Sequence, residues 1–182
     1  MRLFIGIEIP SELKEEIFKI QKDLKKLNIK LVEKENFHIC LKFLGEVNES
    51  LVQEIYSVLE NITLSKNAFE VSLKGVGVFP NISNPRVVWV GVESDEILNL
   101  AEEIDFNLSK LGFEKEKRKF VPHLTLGRLR DKKGKQIIKE FLDKYKNLKM
   151  KFYVDKITLF KSKLSPKGPT YKKIKEFHLV KN

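Results

Sequence analysis

His38-Ile39-Cys40-Leu41 recurs 85 residues later as His123-Leu124-Thr125-Leu126. In both copies an imidazole is followed, two positions on, by a small side chain with a polar donor. An imidazole titrates near ~6.5, so it can take or give a proton at neutral pH. Two of them, one as base and one as acid, are what cleavage of a phosphodiester needs. In-line displacement at phosphorus sets the attacking and leaving oxygens on opposite sides. A pseudo-twofold pair would place one imidazole at each end of that line. Cys40 and Thr125 would then face the non-bridging oxygens as thiol and hydroxyl donors.

Alternation along a strand supports this placement. In the first copy Ile39, Leu41 and Phe43 share one face, and His38, Cys40 and Lys42 the other. In the second, Leu124 and Leu126 oppose His123 and Thr125. Each strand therefore buries an aliphatic face and presents its histidine on the opposite one. Either motif alone would read as ordinary core, and the duplication decides for chemistry. Arg128 lies five residues after His123, so strict alternation turns it away. It can reach a phosphate only where the strand turns or bulges. Lys42, by the same parity, lines the cleft or ends the strand in solvent.

The elements that must hold these residues also repeat. Phe4-Ile5-Gly6-Ile7-Glu8 maps at the same offset onto Trp89-Val90-Gly91-Val92-Glu93. Residues 2–8 read as a strand. Pro10-Ser11 opens a helix with Leu13, Ile17, Ile20, Leu24 and Leu27 on one stripe. Asn36–Leu44 is a strand closed by Gly45. Ser50 with Gln53 makes a capping-box pattern for a second helix, whose buried face holds Leu51, Ile55, Val58 and Leu59. Val71–Phe79 is extended and Asn81–Pro85 a loop. The second half gives a strand at Arg86–Glu93 and a helix capped by Ser94 and ended by Gly112. A strand over Pro122–Leu129, a helix over Gln136–Tyr145 and closing strands at 149–160 and 171–180 follow. The last two are joined by a loop through Ser165-Pro166-Lys167-Gly168-Pro169. This order predicts one α+β domain over residues 1–182. It would have two pseudo-symmetric lobes, each an antiparallel sheet with helices outside, around a central cleft carrying the two His motifs.

The chain has 182 residues and a formal charge of +10. Residues 1–91 carry 12 basic and 12 acidic side chains, whereas 115–182 carry 22 and 6. Such a basic segment implies a polyanionic partner, with nucleic acid the natural one. A solubilising lysine surface is the plainer reading of the same charge. No apolar run has membrane-spanning length. The lone cysteine, Cys40, cannot form an internal disulfide, which makes a cytoplasmic home the expectation; a monomer is the expected state. No phosphate-cradling Gly-rich loop with its Lys is present.

The paired motifs resemble those of the 2′-5′ RNA ligase / RNA 2′,3′-cyclic phosphodiesterase family of the two-histidine phosphoesterase superfamily. The resemblance rests on His38-Ile39-Cys40-Leu41-Lys42-Phe43-Leu44-Gly45 and on Pro122-His123-Leu124-Thr125-Leu126-Gly127-Arg128. It extends through Arg86-Val87-Val88-Trp89-Val90-Gly91 and the closing Leu159-Phe160-Lys161-Ser162 and Gly168-Pro169-Thr170-Tyr171. The departure is Cys40, where the family usually has Thr or Ser. The resemblance implies metal-free opening of an RNA 2′,3′-cyclic phosphate end, on tRNA fragments for instance, to a 2′-phosphomonoester. It needs no cofactor. His38 would be the acid and His123 the base, with Cys40, Thr125 and Arg128 on the phosphate. The reverse reaction would be ATP-independent 2′-5′ ligation. Two other readings stand beside it. His38, Cys40 and His123 are zinc-ligand types, although Thr125 occupies the fourth place. A non-catalytic RNA-binding module would explain the charge but not the duplicated histidine.

Overall fold

The computed structural model describes residues 1–181; the last residue of the expected domain, Asn182, lies outside them. The elements in order are β1 (Arg2–Glu8), α1 (Ser11–Gln21), β2 (Ile29–Leu31), β3 (His38–Glu46), α2 (Val52–Leu64), β4 (Phe69–Phe79) and β5 (Val87–Glu93). They continue with α3 (Asp95–Ser109), β6 (His123–Leu129), α4 (Lys135–Lys144), β7 (Lys149–Val154), β8 (Lys156–Ser165) and β9 (Gly168–His178). Two antiparallel sheets result, ordered β3-β1-β8-β9 and β2-β6-β5-β4-β7. This is the expected α+β fold of two lobes around a cleft.

The 85-residue offset carries β1 onto β5, the start of β3 onto the start of β6, and β4 onto β8. Yet β4 pairs with β5 and β7, while β8 pairs with β1 and β9. The third strand of each repeat is thus exchanged into the other repeat's sheet. A parallel bridge between Asn67 and Val180 adds a further tie.

Several boundaries differ from the sequence expectation. The stripe of α1 passes into a 3₁₀ turn at Lys22–Leu24, which keeps Leu24 fully buried. Ser50 does not cap α2. Asn48 accepts a hydrogen bond from the Ser50 amide at 3.0 Å, and a 3₁₀ turn over Glu49–Leu51 leads into the helix. Asn is at least as good a cap as Ser, and it comes first. Ser94 caps α3 as expected, accepting from the Ile97 amide at 3.1 Å. The stretch 149–160 is two strands in different sheets, parted at Asp155, and the Ser165–Gly168 segment is a tight hairpin rather than an open loop. The short β2 had no strand signal of its own. It adds to the edge of β6 with Leu31 opposite Gly127.

The bulges matter most for function. In the β5–β6 pair Trp89 lies opposite Thr125 but Val88 lies opposite Gly127, so Leu126 is an extra residue. In the β1–β3 pair Gly6 faces Cys40 and Ile5 faces Lys42, which makes Leu41 the extra residue. These two positions are again 85 apart. An extra residue reverses the facing of everything after it. Accordingly Leu41 and Lys42 are both buried, as are Leu126 and Gly127, and the following residues Phe43 and Arg128 emerge on the histidine side. The bulge in β6 is anchored: the Leu126 carbonyl accepts from the Val32 amide at 2.9 Å and from Gln21 Nε2 at 2.9 Å.

Candidate active site

His38 opens β3 and His123 opens β6, one from each sheet. Each ring is fixed in the same way. His38 Nδ1 lies 2.7 Å from the carbonyl of Asn36, and His123 Nδ1 lies 2.8 Å from that of Val121. A carbonyl only accepts, so Nδ1 carries the proton in both rings. Nε2 remains as the atom that can take or give a proton. Asn36 is itself tied down, its side-chain amide donating to the Pro169 carbonyl at 2.9 Å.

Aromatic rings support both imidazoles. Phe4 sits 4.8 Å from His38 between ring centres, and Tyr171 stands edge-on at 5.3 Å. Phe79 stands edge-on to His123 at 4.9 Å, with Trp89 at 6.3 Å. Phe4 and Trp89 are equivalents at the 85-residue offset, which sequence comparison could have flagged. Trp89 lies over Gly77, where any Cβ would collide with the indole. It is half-buried beside a histidine rather than part of the deep core.

All five residues expected at the site, His38, Cys40, His123, Thr125 and Arg128, line one cleft of about 540 Å³. Arg128 reaches it by the bulge at Leu126. Lys42 does not. The matching bulge turns it inward, to 4% exposure, where its ammonium donates to Asp105 Oδ1 at 2.7 Å and to the Glu114 carbonyl at 2.6 Å. Phe37 is core, Phe120 packs against it, and His178 is exposed outside the cleft. Sequence reasoning gave no role to Arg2, Asn36, Phe43 or Tyr171, which also line the cleft. Arg2, Lys30, Arg128 and Lys167 make its lining predominantly cationic, against the single acid Glu33.

Burial pushes the pKa of both histidines below the ordinary imidazole value. The charge of His123 adds to this at His38, and that of Arg128 adds to it at His123; the carbonyl partners pull the other way. Burial, with Glu116 nearby, raises the Cys40 thiol to about 12, so it is a neutral S–H at physiological pH. Among the described residues no three His, Cys, Asp or Glu side chains gather as a metal centre would require. The zinc reading of His38, Cys40 and His123 therefore finds no ligand cluster.

Paired imidazoles with free Nε2 atoms, facing a cationic cleft from two related sheets, are an arrangement able to take and give a proton beside an anion. The model of the LigT-like phosphoesterases matches the chain twice, over residues 7–89 and again over 90–171. The chain belongs to that family. An RNA 2′,3′-cyclic phosphodiesterase of Methanocaldococcus jannaschii is 46% identical over 178 residues, spanning 97% of this chain and 100% of that protein. One from Archaeoglobus fulgidus is 39% identical over 180 residues, 97% of this chain and 99% of that one. Among solved structures, a Thermus thermophilus protein superposes with a TM-score of 0.84 at 26% identity, covering 98% of each chain. Escherichia coli LigT in complex with 3′-AMP gives 0.80 at 23% identity over 98% of each chain, a likeness of fold. No helix among the described residues is long and apolar enough to cross a membrane.

Proposed function

We propose that this protein is an RNA 2′,3′-cyclic phosphodiesterase. It opens the cyclic phosphate at an RNA 3′ end to a 2′-phosphomonoester by histidine acid–base catalysis. His123 Nε2 takes a proton from water as the oxygen attacks phosphorus. The P–O3′ bond breaks on the opposite side, and His38 Nε2–H delivers the proton to O3′. The Thr125 hydroxyl and Cys40 thiol donate to the non-bridging oxygens, and Arg128 offsets their charge. The observation that carries this reading is the matched pair of Nδ1-to-carbonyl bonds. They set both rings in one tautomer and leave both Nε2 atoms for chemistry. The names of the relatives, at up to 46% identity, support the choice of substrate.

With a 5′-hydroxyl in the place of water, the same step joins a cyclic-phosphate end to it as a 2′-5′ linkage: His123 takes the proton of the 5′-hydroxyl, the P–O3′ bond breaks, and His38 gives its proton to O3′. The substrates we propose are RNA ends such as tRNA fragments, met by a cytoplasmic monomer that folds as a single bilobal domain. The test is to incubate the protein with an oligoribonucleotide ending in a 2′,3′-cyclic phosphate, with and without EDTA. A 2′-phosphate product formed equally in both is expected. Binding without turnover would leave a non-catalytic RNA-binding module, and a 3′-phosphate product would overturn the assignment of the leaving oxygen. Activity lost with EDTA and restored by zinc would return the site to metal chemistry.

A further inference from the structure

A second concavity adjoins the cleft. It is an open groove of about 690 Å³ between the end of β3 and the irregular segment after α3, lined by Gly112 to Arg118 on one side and Lys42 to Glu46 on the other. Phe43 alone borders both the groove and the cleft. Its ring is 48% exposed, an unusual state for phenylalanine, and the guanidinium of Arg2 lies 5.1 Å from the ring centre. Phe43 is also the 85-offset counterpart of Arg128. Where one lobe turns a guanidinium toward the cleft, the other turns an aromatic face.

The charges along the groove are sorted. Glu46 is held by the N-terminal ammonium at 3.3 Å, and Glu116 by Lys42 at 3.4 Å. Lys42 also grips Asp105 and the Glu114 carbonyl, pinning the groove wall to the strand that carries His38. Among the described residues, Lys115, Lys117, Arg118 and Lys119 have no carboxylate within ion-pair distance. Lys115 rests over the Phe106 ring at 4.7 Å. Of the three groove acids Glu46 and Glu116 are paired in place, the carboxylate of Glu114 has no cation within ion-pair distance among the described residues, and four cations stand against it for something else. An aromatic platform beside a row of free cations is the pattern by which proteins hold single-stranded nucleic acid.

Resting on the phosphodiesterase reading above, we infer that this groove is an upstream RNA subsite. The nucleotide 5′ of the cyclic end stacks its base on Phe43. The backbone beyond it runs along Lys115, Lys117 and Arg118. The wall then continues through Phe120 to Val121, whose carbonyl holds the ring of His123, so the upstream strand and the catalytic base share one short segment. The subsite makes the enzyme prefer an RNA end over a cyclic mononucleotide, which fills only the cleft.

The test compares kcat/KM for an oligoribonucleotide ending in a 2′,3′-cyclic phosphate with that for 2′,3′-cyclic AMP, and reads the ratio. Lys117→Glu with Arg118→Glu should lower the ratio at least about tenfold at low salt. It should also flatten the log–log salt dependence for the oligonucleotide by about 1.4, at ~0.7 per lost single-strand phosphate contact. Phe43→Leu should lower the ratio about tenfold through lost stacking, and Phe43→Tyr should keep it. A control with Lys139→Glu and Lys149→Glu, exposed cations outside the groove, should leave it in place. An unmoved ratio in the groove variants, or an equal fall in the control, would overturn the subsite. Wild-type protein that hydrolyses neither substrate would instead overturn the phosphodiesterase reading itself.

Discussion

His38 and His123 are tuned alike and in the same direction. Burial lowers both, and each is lowered further by a neighbouring positive charge. In the proposed mechanism one is protonated and the other neutral, so kcat/KM should follow a bell centred midway between the two values. With both below ~6.5, the centre falls on the acid side of that figure; a kcat/KM profile against pH that peaks above 7 would contradict the assignment. Cys40 tests the phosphate grip. With its thiol raised to about 12, the thiolate fraction at pH 8 is reduced about a thousandfold against an unperturbed cysteine, so alkylation should be slow and Cys40 is no nucleophile. If it donates S–H to a phosphate oxygen, Cys40→Thr should match or exceed wild-type rate. Thr125→Ala should cost more than Cys40→Ala, and both should stay within the ~1–3 kcal/mol of a lost charge-assisted bond. Steady-state rates of the three variants decide it; a Cys40→Thr protein as inactive as His38→Ala would require a different chemistry at sulfur.

At the scale of elements, the bulges in β3 and β6 aim the site. Gln21 is 2% exposed and its amide donates to the carbonyls of Val32 and Leu126, at 2.8 and 2.9 Å. Gln21→Met would leave the Val32 carbonyl without its donor and the Leu126 carbonyl with the Val32 amide alone, at a cost of about 2 kcal/mol. The bulge that presents Arg128 would relax with it. Urea denaturation should show the lost stability, and kcat/KM of the folded variant should fall toward that of Arg128→Ala. Wild-type kcat/KM with the stability loss alone would separate the bulge from the chemistry. These bulges also mark where sequence reading stopped. Alternation placed His38, Cys40, His123 and Thr125 correctly because all four precede the extra residue. It failed at Lys42 for the same reason, and for Arg128 it could only require some irregularity. Nothing in Leu41 or Leu126 announces a bulge, and the one at Leu126 is held by what Val32 and Gln21 offer across space. The helices were legible because their apolar stripes are local. The strand β2 was not, since three residues acquire strand character only by pairing with β6. The Nδ1 partners were invisible because backbone carbonyls carry no sequence signal.

For the whole molecule the exchange of β4 and β8 is the governing feature. Each sheet borrows a strand from the other repeat, so neither half can complete its own core. The basic segment 115–182 is correspondingly not a separate arm. It supplies strands to both sheets, and many of its lysines are used internally, as in Lys144–Asp23 at 2.8 Å, Lys156–Glu176 at 3.0 Å and Lys175–Glu60 at 3.1 Å. Its cations that reach the cleft, Arg128 and Lys167, are a small share of its charge. A chain tied in this way should unfold in one cooperative step, with calorimetric and van't Hoff enthalpies equal; two separable transitions would mean that the repeats fold independently. The strand exchange also holds the two histidines, one from each sheet, in a common cleft, and their partnership is the central claim. The most direct measurement is single-turnover hydrolysis of a cyclic-phosphate RNA end by His38→Ala, His123→Ala and the double variant. Each single change should cost at least ~10²-fold, and the double variant should be far less than multiplicatively worse, because the pair works as a unit. Near-wild-type turnover in either single variant, or losses that simply multiply, would contradict it.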